Sequence, residues 1–563
     1  MLSRIRESGR AFGAAFANRS LRRLELAFAG SVIGDWAFTI ALAVYAYGQG
    51  GAAAVGLVAL VRSLVGAAAA PFASLLADRY PRRAVMIGCD TSSAIGVAGA
   101  AAVAATDGPA LLVYALSLAP LVASTAFQPA QTAMLPSLTR TPQELTAANV
   151  VTSTIDSAGM FIGPALGGAL LAGTNVATVF ALDAVTFLWS AALVLGIRPD
   201  RSADEAIEAD EAIEAEQEAP EPVGFWHELT AGVRAIAADV RLRVLIGLFG
   251  VQTLVSGMLT VLIVVMAFEL LDMGESGVGT LNAVIGVGGL LGSVAAFALV
   301  GRGRLASDFS LGLLAWGAPI AFIAVLVDPV VAAVMLAVVG IGNTLVDVAG
   351  LTLLQRVVPD QVLGRVLGAL ESVFVATYGL GAALAPALID LFGIRATLVI
   401  TGCILPICTA LAWPLLRRID HEAVDPERVE LLRGIPFMAL LPEPTLERLA
   451  RLLDPVSVEP GQVVIREGEP GDRFYLIEDG ELEVVTGGAS VADLGPAAFF
   501  GEIALVRDVP RTATVRARSA ARLLALDRDE FVAAVTGYAP SADAADAIVR
   551  LRLGGMRSAL GTG

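Results

Sequence analysis

Six ionisable residues stand inside long stretches that are otherwise apolar: Asp35, Arg62, Asp156, Asp183, Asp347 and Glu371. A charge in such surroundings is costly unless it is paired, hydrated or, for a carboxyl, protonated. Residues of this kind therefore mark ion and substrate pathways by default. The chemistry on offer is the uptake and release of a proton by a carboxyl as its surroundings change. Asp35 and Arg62 have opposite signs and fall in successive apolar stretches, so Arg62 is expected to pair with Asp35. Asp156 joins them as a candidate for transport or proton coupling. Asp183, Asp347 and Glu371 have a plainer reading, as hydrogen-bonding struts between helices or as residues near an interface, and it is preferred for these three.

The elements that would position these residues follow from hydropathy. Of 563 residues, 56% are hydrophobic and 16% charged, with mean hydropathy +0.74; a soluble chain carries more charge. The apolar excess runs from about Leu24 to Leu416 and then stops. A spanning helix needs about 20 mainly apolar residues. Twelve candidates begin near Leu24, Ala52, Ala84, Pro109, Asn149 and Ala177, then near Val244, Gly277, Phe309, Val330, Val366 and Ile394. Arginines fall in every second connection: Arg79, Arg82 and Arg83; Arg140; Arg302 and Arg304; Arg356 and Arg365; Arg417 and Arg418. The positive-inside rule then places both termini in the cytoplasm. Met1 to Arg23 lacks the short apolar core of a signal peptide and reads as a retained cytoplasmic segment.

The two sets of six spans echo each other. The connection TAMLPSLTRTPQELTAANVV has a counterpart in LTLLQRVVPDQVLGRVLGAL, and LLADRYPRR a weaker one in LVGRGR. Duplicated halves with a site between them suit a transporter. Between them, Pro199 to Pro222 holds a tandem DEAIEA and reads as a solvated acidic linker. Phe225 to Ala238 follows with helical apolar spacing, suited to the membrane face. The expected domains are residues 1–198, 199–242, 243–418 and 419–563. A net charge of −16 speaks against nucleic acid. Cys89, Cys403 and Cys408 have no disulfide or zinc spacing, and His227 and His421 fall in polar connections. No cofactor or metal is expected, and no nucleophile–base constellation suggests an enzyme.

From about Leu24 to Arg418 the chain resembles the major facilitator superfamily. Ser74 to Arg83, SLLADRYPRR, is similar to that family's first cytoplasmic motif, G-x-L-A-D-R-x-G-R-R, departing at both glycines. The resemblance implies that Asp78, Arg79, Arg82 and Arg83 latch the two halves in the outward-facing state; Asp78 by itself suits a helix start or an arginine partner. The alternative for Arg82 and Arg83 is plain membrane anchoring. Gly159, Gly163, Pro164, Gly167 and Gly168 fill G-x-x-x-G-P-x-x-G-G, which in the family marks exporters, usually proton-driven. Small residues at this spacing also let helices pack closely. FQPAQTAMLPSL resembles the multidrug and siderophore exporter branch. Related exporters place an acid in span 1, which singles out Asp35, although span 4 here lacks the arginine many of them carry.

From about Val429 the pattern changes to short alternating strands punctuated by Gly461, Gly468, Gly471 and Gly480, as in a small barrel or jelly roll. FGEIALVRDVPRTATV, Phe500 to Val515, resembles the phosphate-binding cassette of cyclic-nucleotide-binding domains. That resemblance implies a cyclic nucleotide as ligand. Backbone N–H groups after Gly501, from Glu502 and Ile503 to Ala504, would face its phosphate, with the Arg511 fork and the Thr512 hydroxyl beside Ala513. Glu502 would accept the ribose 2′-hydroxyl. Both charges are expensive to bury unused, and both are intact. cAMP is favoured over cGMP only as the commoner ligand, since Thr512 also suits guanine. A final helix, about Ser541 to Leu553, would lid the base, with Arg550 either stacked on it or solvated.

The expected fold is thus an α-helical membrane protein of twelve transmembrane helices in two six-helix halves, followed by an α+β domain built on a β jelly roll. The expected function is efflux of a small-molecule substrate from a cell-membrane carrier, regulated by cAMP. The alternatives are a lipid or lysolipid transporter of the same fold, and a membrane cyclic-nucleotide receptor that transports nothing.

Overall fold

The computed structural model describes residues 18–139, 141–197, 234, 236–299, 304–358, 360–421 and 426–559. The acidic linker, most of Phe225 to Ala238, Arg140 and Arg302 lie outside them, as do the side chains of Asp78 and Arg79. The chain divides into two compact units, Met1–Asp420 and His421–Gly563.

The first unit is helical: α1 (Arg19–Arg79), α2 (Arg82–Ala105), α3 (Ala110–Leu116), α4 (Leu118–Leu138), α5 (Pro142–Gly173), α6 (Val176–Leu195), α7 (Val240–Val265), α8 (Gly274–Leu299), α9 (Leu305–Ile323), α10 (Pro329–Val357) and α11 (Asp360–His421). Among the described residues, ten helical segments are long and apolar enough to cross a membrane. Two are far longer than one crossing needs, and both break at glycine. In α1, Gly50 and Gly51 leave helical geometry, Gly51 with φ +58°; in α11, Gly393 does so with φ +78°. These are backbone values that only glycine adopts freely. Other helices start on caps legible in the sequence. Thr141 accepts from Glu144 N with Pro142 at the first helical position, Asn175 from Thr178 N, and Asp328 from Val330 N and Val331 N. Asp78 lies in the last turn of α1, not at a helix start; α2 is entered through Pro81 without a side-chain cap.

Residues of α1–α6 and α7–α11 meet closely at one end of the unit. Tyr47 OH donates to Glu269 Oε1 at 2.5 Å, and its ring stacks on Phe268. A Cβ on Gly168 would lie 2.8 Å from Gly279 Cα, and one on Gly56 would lie 2.4 Å from Ala382 O, so these backbones touch. Phe161 of α5 still backs onto Gly286 of α8. Beyond that contact a shallow, open gap of about 730 Å³ runs along Thr146, Asn149, Val150 and Ser153 of α5, with Leu290 of α8 at its edge.

The second unit begins with helices, where short strands were expected from Val429: α12 (Pro426–Arg433), a 3-10 turn (Met438–Leu440) and α13 (Glu443–Leu452). The reason is period: Leu446, Leu449, Ala450 and Leu453 recur at helical spacing and are all buried. The strands are β1 (Asp454–Val458), β2 (Val463–Ile465), β3 (Arg473–Asp479), β4 (Leu482–Thr486), β5 (Ala489–Leu494), β6 (Phe499–Phe500), β7 (Thr514–Ala517) and β8 (Ala521–Asp527). Helix α14 (Glu502–Arg507) interrupts them, and α15 (Arg528–Thr536) and α16 (Ala539–Ala559) close the unit. They form two four-stranded antiparallel sheets, β1-β8-β3-β6 and β2-β7-β4-β5, with Ile477, Leu482, Val515 and Leu523 buried between them. A second core, with Phe437, Phe474 and Phe531, joins the sheet to the helices.

Candidate functional site

In the membrane unit, Asp35, Arg62 and Asp156 line one cavity of about 670 Å³ between the halves, with Gln128, Thr253 and Tyr378. Sequence reasoning thus brought together three residues that do share a space. The expected Asp35–Arg62 pair is not closed, however: Arg62 Nη1 donates to Ser117 O at 2.8 Å instead. That carbonyl is free because α3 ends at Leu116 and α4 starts at Leu118, a break that exposes backbone acceptors. Arg62 is thereby fixed as the cation of a mainly apolar cavity wall.

The other charges sort differently. Asp347 accepts from Asn343 Nδ2 at 2.9 Å, and Asn343 Oδ1 receives Trp316 Nε1 (2.9 Å) and Gln252 Nε2 (3.2 Å), a strut linking α7, α9 and α10. Asp183 is buried, its Oδ1 accepting from Thr186 at 3.1 Å beside Gly34, where any side chain would collide with it. Glu371 is exposed. Three further buried acids were missed: Asp90 of α2, Asp308 in the first turn of α9, and Glu25 of α1, which accepts from Thr152 Oγ1 at 2.9 Å. The signal for all three was the one used for Asp35, an acid within an apolar helix.

The glycines of α5 divide by partner. Gly159, Gly163 and Gly167 back onto Val32, Trp36 and Ala37 of α1, while Gly168 backs onto Gly279 of α8, and Pro164 lies within the helix between them. Arg82 donates to Ala133 O at 2.7 Å. Arg83 reaches Val194 O (3.2 Å) and Leu195 O, and Arg23 reaches Gly196 O. Arg83 and Arg23 thus satisfy the orphan carbonyls at the end of α6, where a cation is favoured.

In the tail, a cavity of about 300 Å³ is lined by Gly501, Glu502, Ile503, Ala504, Arg511, Thr512 and Ala513, with Ile465, Val484 and Phe500 from the strands and Arg552 from α16. All seven residues expected from the motif therefore converge on one space. Gly501 turns with φ +92°, and a Cβ there would sit 2.8 Å from Arg511 Nη1. Arg511, 3% exposed, donates to Gly501 O (3.0 Å), Asp472 Oδ1 (3.0 Å) and Arg473 O (2.7 Å). Asp472 partners its charge, so burial alone does not demand a bound anion.

Glu502 is 1% exposed. Its Oε1 accepts from Arg552 Nη1 at 2.8 Å, and its Oε2 has no hydrogen-bond partner. Burial pushes this carboxyl above its ordinary range, with Arg552 pulling the other way. Arg552 also donates to Phe499 O (3.0 Å) and lies over the Phe499 ring. Among the described residues of the last helix it is the one that lines the cavity, whereas Arg550 pairs with Asp546 on the surface. Arg507 holds Asp546 at 2.7 Å, so α16 is tied to α14 at two points.

A family model described as the Major Facilitator Superfamily matches residues 24–374 and, overlapping, 302–467; one described as a cyclic nucleotide-binding domain matches residues 455–538. Among curated relatives, the cAMP-dependent protein kinase regulatory subunit of Yarrowia lipolytica is 44% identical over 102 residues, 18% of this chain and 27% of that protein. The corresponding subunit of Dictyostelium discoideum is 44% identical over 113 residues, 19% and 33%. A cyclic nucleotide-gated potassium channel of Mesorhizobium japonicum is 38% identical over 102 residues, 18% and 28%. The chain spans a third or less of the length of these relatives. The first family match covers more than half of the chain, and the second falls on the sheets around the tail cavity. The chain belongs to the Major Facilitator Superfamily and carries a cyclic nucleotide-binding domain at its C-terminus.

Proposed function

We propose that this protein is a cell-membrane exporter of small molecules whose cycle responds to cAMP held in its tail. The observation that carries the reading is the convergence of Arg511, Glu502 and the backbone after Gly501 on one cavity of about 300 Å³, within the size range of small-ligand sites. Arg511 would meet the phosphate and Glu502 the ribose 2′-hydroxyl, with Ile503, Ala504, Thr512 and Ala513 completing the cradle. The regulatory subunits similar to the tail are named for dependence on cAMP, and the similar channel for gating by a cyclic nucleotide. cGMP is the alternative ligand.

For the membrane unit, dividing the two long helices at Gly50–Gly51 and Gly393 turns ten spans into twelve. Both termini and the tail are then cytoplasmic, and the domains are residues 1–198, 199–242, 243–418 and 419–563. On that topology the gap between α5 and α8 opens to the cytoplasm, an inward-facing state. The contacts made by Arg82 and Arg83 within the first half fit this state, since the latch of Asp78, Arg79, Arg82 and Arg83 belongs to the outward-facing one. Asp35, Arg62 and Asp156 would couple substrate to protons, and the five residues from Gly159 to Gly168 would serve as the sliding surface. The same gap favours a second reading, a lipid or lysolipid carrier fed from the side. Regulation requires cAMP to bind one transport state more tightly than the other.

The test is calorimetric titration of the full chain in detergent with cAMP, then cGMP. One saturable site per chain, lost in Arg511→Ala and weakened in Arg511→Lys, is the expected result. No binding at millimolar nucleotide would overturn the regulatory half of the proposal and leave the carrier half standing.

A further inference from the structure

Beside the central cavity the first half holds a smaller, partly open chamber of about 160 Å³, room for roughly five waters at their share of liquid volume. Asp35 lies in the wall of both spaces. Opposite it stands Asp90, with the hydroxyls of Ser31, Ser93 and Ser124 nearby. Asp90 is 1% exposed and Ser31 6%, and Asp90 Oδ2 and Ser31 Oγ both lack a hydrogen-bond partner. Buried polar atoms are rarely left unsatisfied, because each costs its desolvation without return. Here two of them, from different helices, line one chamber.

The charges around the chamber do not balance. Asp35 and, further along, Glu25 come from α1, and Asp183 from α6 beside Gly34. Cys89 comes from α2 itself and Tyr114 from α3, while α4 contributes no ionisable residue. Arg62, on the far side of Asp35, is the cation in the lining of the adjoining cavity. Asp90 and Asp183 are buried and Asp35 is half-buried, and beside a single arginine their summed negative charge favours a bound proton on at least one of them.

We propose that this chamber is a proton-holding site, in which Asp90 stores a proton and Asp35 exchanges it with the central cavity. The O–H bond on Asp90 breaks as one forms on the Asp35 carboxylate through the intervening waters, so net charge is conserved. Asp35 then releases the proton into the cavity, where Arg62 stabilises the carboxylate that remains. The proposal rests on proton coupling at Asp35 and adds a store behind it.

An infrared pH titration of the full chain in detergent, following the C=O band of protonated carboxyls, needs no transported substrate. The expected result is a titrating band from each of Asp90 and Asp35 among those of the other buried carboxyls, assigned by difference between variants. Asp90→Asn removes one; Asp35→Asn removes the other and moves the midpoint of the survivor. If Asp35→Asn changes the spectrum and Asp90→Asn does not, the store is overturned while coupling at Asp35 stands. If neither changes it, both fall. Should Asp90→Asn not fold, labelling of the unaltered protein with dicyclohexylcarbodiimide, which attacks protonated carboxyls in apolar surroundings, gives a second reading. Peptide mapping should find an adduct on Asp90 that declines as pH rises; no adduct, or one indifferent to pH, overturns the proposal.

Discussion

Arg552 of the last helix donates to Glu502 across 2.8 Å, so the carboxylate aimed at the tail cavity is already held by a cation from elsewhere in the chain. The pair closes α16 over the cavity. Removing one partner leaves the other buried without compensation, so Arg552→Ala should destabilise the tail by about 1–3 kcal/mol. Adding Glu502→Gln should restore most of it, a coupling readable in a double-mutant cycle of urea unfolding. The sign with pH follows from burial raising the Glu502 carboxyl. Its protonated form is the one folding prefers, so its contribution is fully present below the unfolded value and is lost as pH rises through the folded one. The Arg552→Ala penalty should therefore shrink on acidification; one that grew would overturn the assignment.

Glu502 Oε2, buried and without a partner, is the acceptor that a ribose 2′-hydroxyl would fill. A site built around such an atom rejects an analogue that cannot satisfy it. We expect 2′-deoxy-cAMP to bind at least about tenfold more weakly than cAMP, the size of one charge-assisted hydrogen bond. In Glu502→Gln the preference should fall to near unity. Equal affinities in the unaltered protein would remove Glu502 from ligand recognition.

Asn343 is the hub that lets Asp347 stay in an apolar helix: it donates to Asp347 and receives Trp316 and Gln252. Asn343→Leu removes all three bonds at once and should cost about 1–3 kcal/mol for the polar groups stranded. Asp347→Asn keeps an acceptor in place and should cost less than 1 kcal/mol. Thermal unfolding in detergent ranks the two. A larger loss in Asp347→Asn than in Asn343→Leu would mean that the charge itself matters, and Asp347 would join the coupling residues.

Much of this was legible in the sequence. The cassette around Gly501 could be read because one ligand chemistry constrains backbone, acid and arginine within a dozen residues. The spans could be read because a bilayer demands long apolar runs. What stayed hidden was pairing at a distance. Arg62 finds Ser117 O because α3 and α4 break at that point, and Arg552 finds Glu502 through the packing of α16, which lies 50 residues away in sequence. Arg550 and Arg552 differ by two positions on one helix, and helical geometry turns them to different sides. The helical stretch α12–α13 was hidden for another reason: its helical period spans only Leu446 to Leu453, directly before a long strand-rich run.

Gly168 and Gly279 bring α5 and α8 into backbone contact at the end where the halves meet. A Cβ at position 168 would lie 2.8 Å from Gly279 Cα, closer than real contacts come, and a tight 3.0 Å from Ser276 O, and neither atom belongs to a flexible side chain. Gly168→Val should therefore disfavour the state in which this end is shut. At the other end, Ser153 lines the gap between the same two helices, exposed to it. In a background lacking Cys89, Cys403 and Cys408, a Ser153→Cys reporter should react readily with a membrane-impermeant maleimide in inside-out vesicles. Adding Gly168→Val should slow that labelling by about tenfold, the effect of shifting a two-state equilibrium by 1.4 kcal/mol. Unchanged or faster labelling would mean that the Gly168–Gly279 contact does not control which end of the carrier is open.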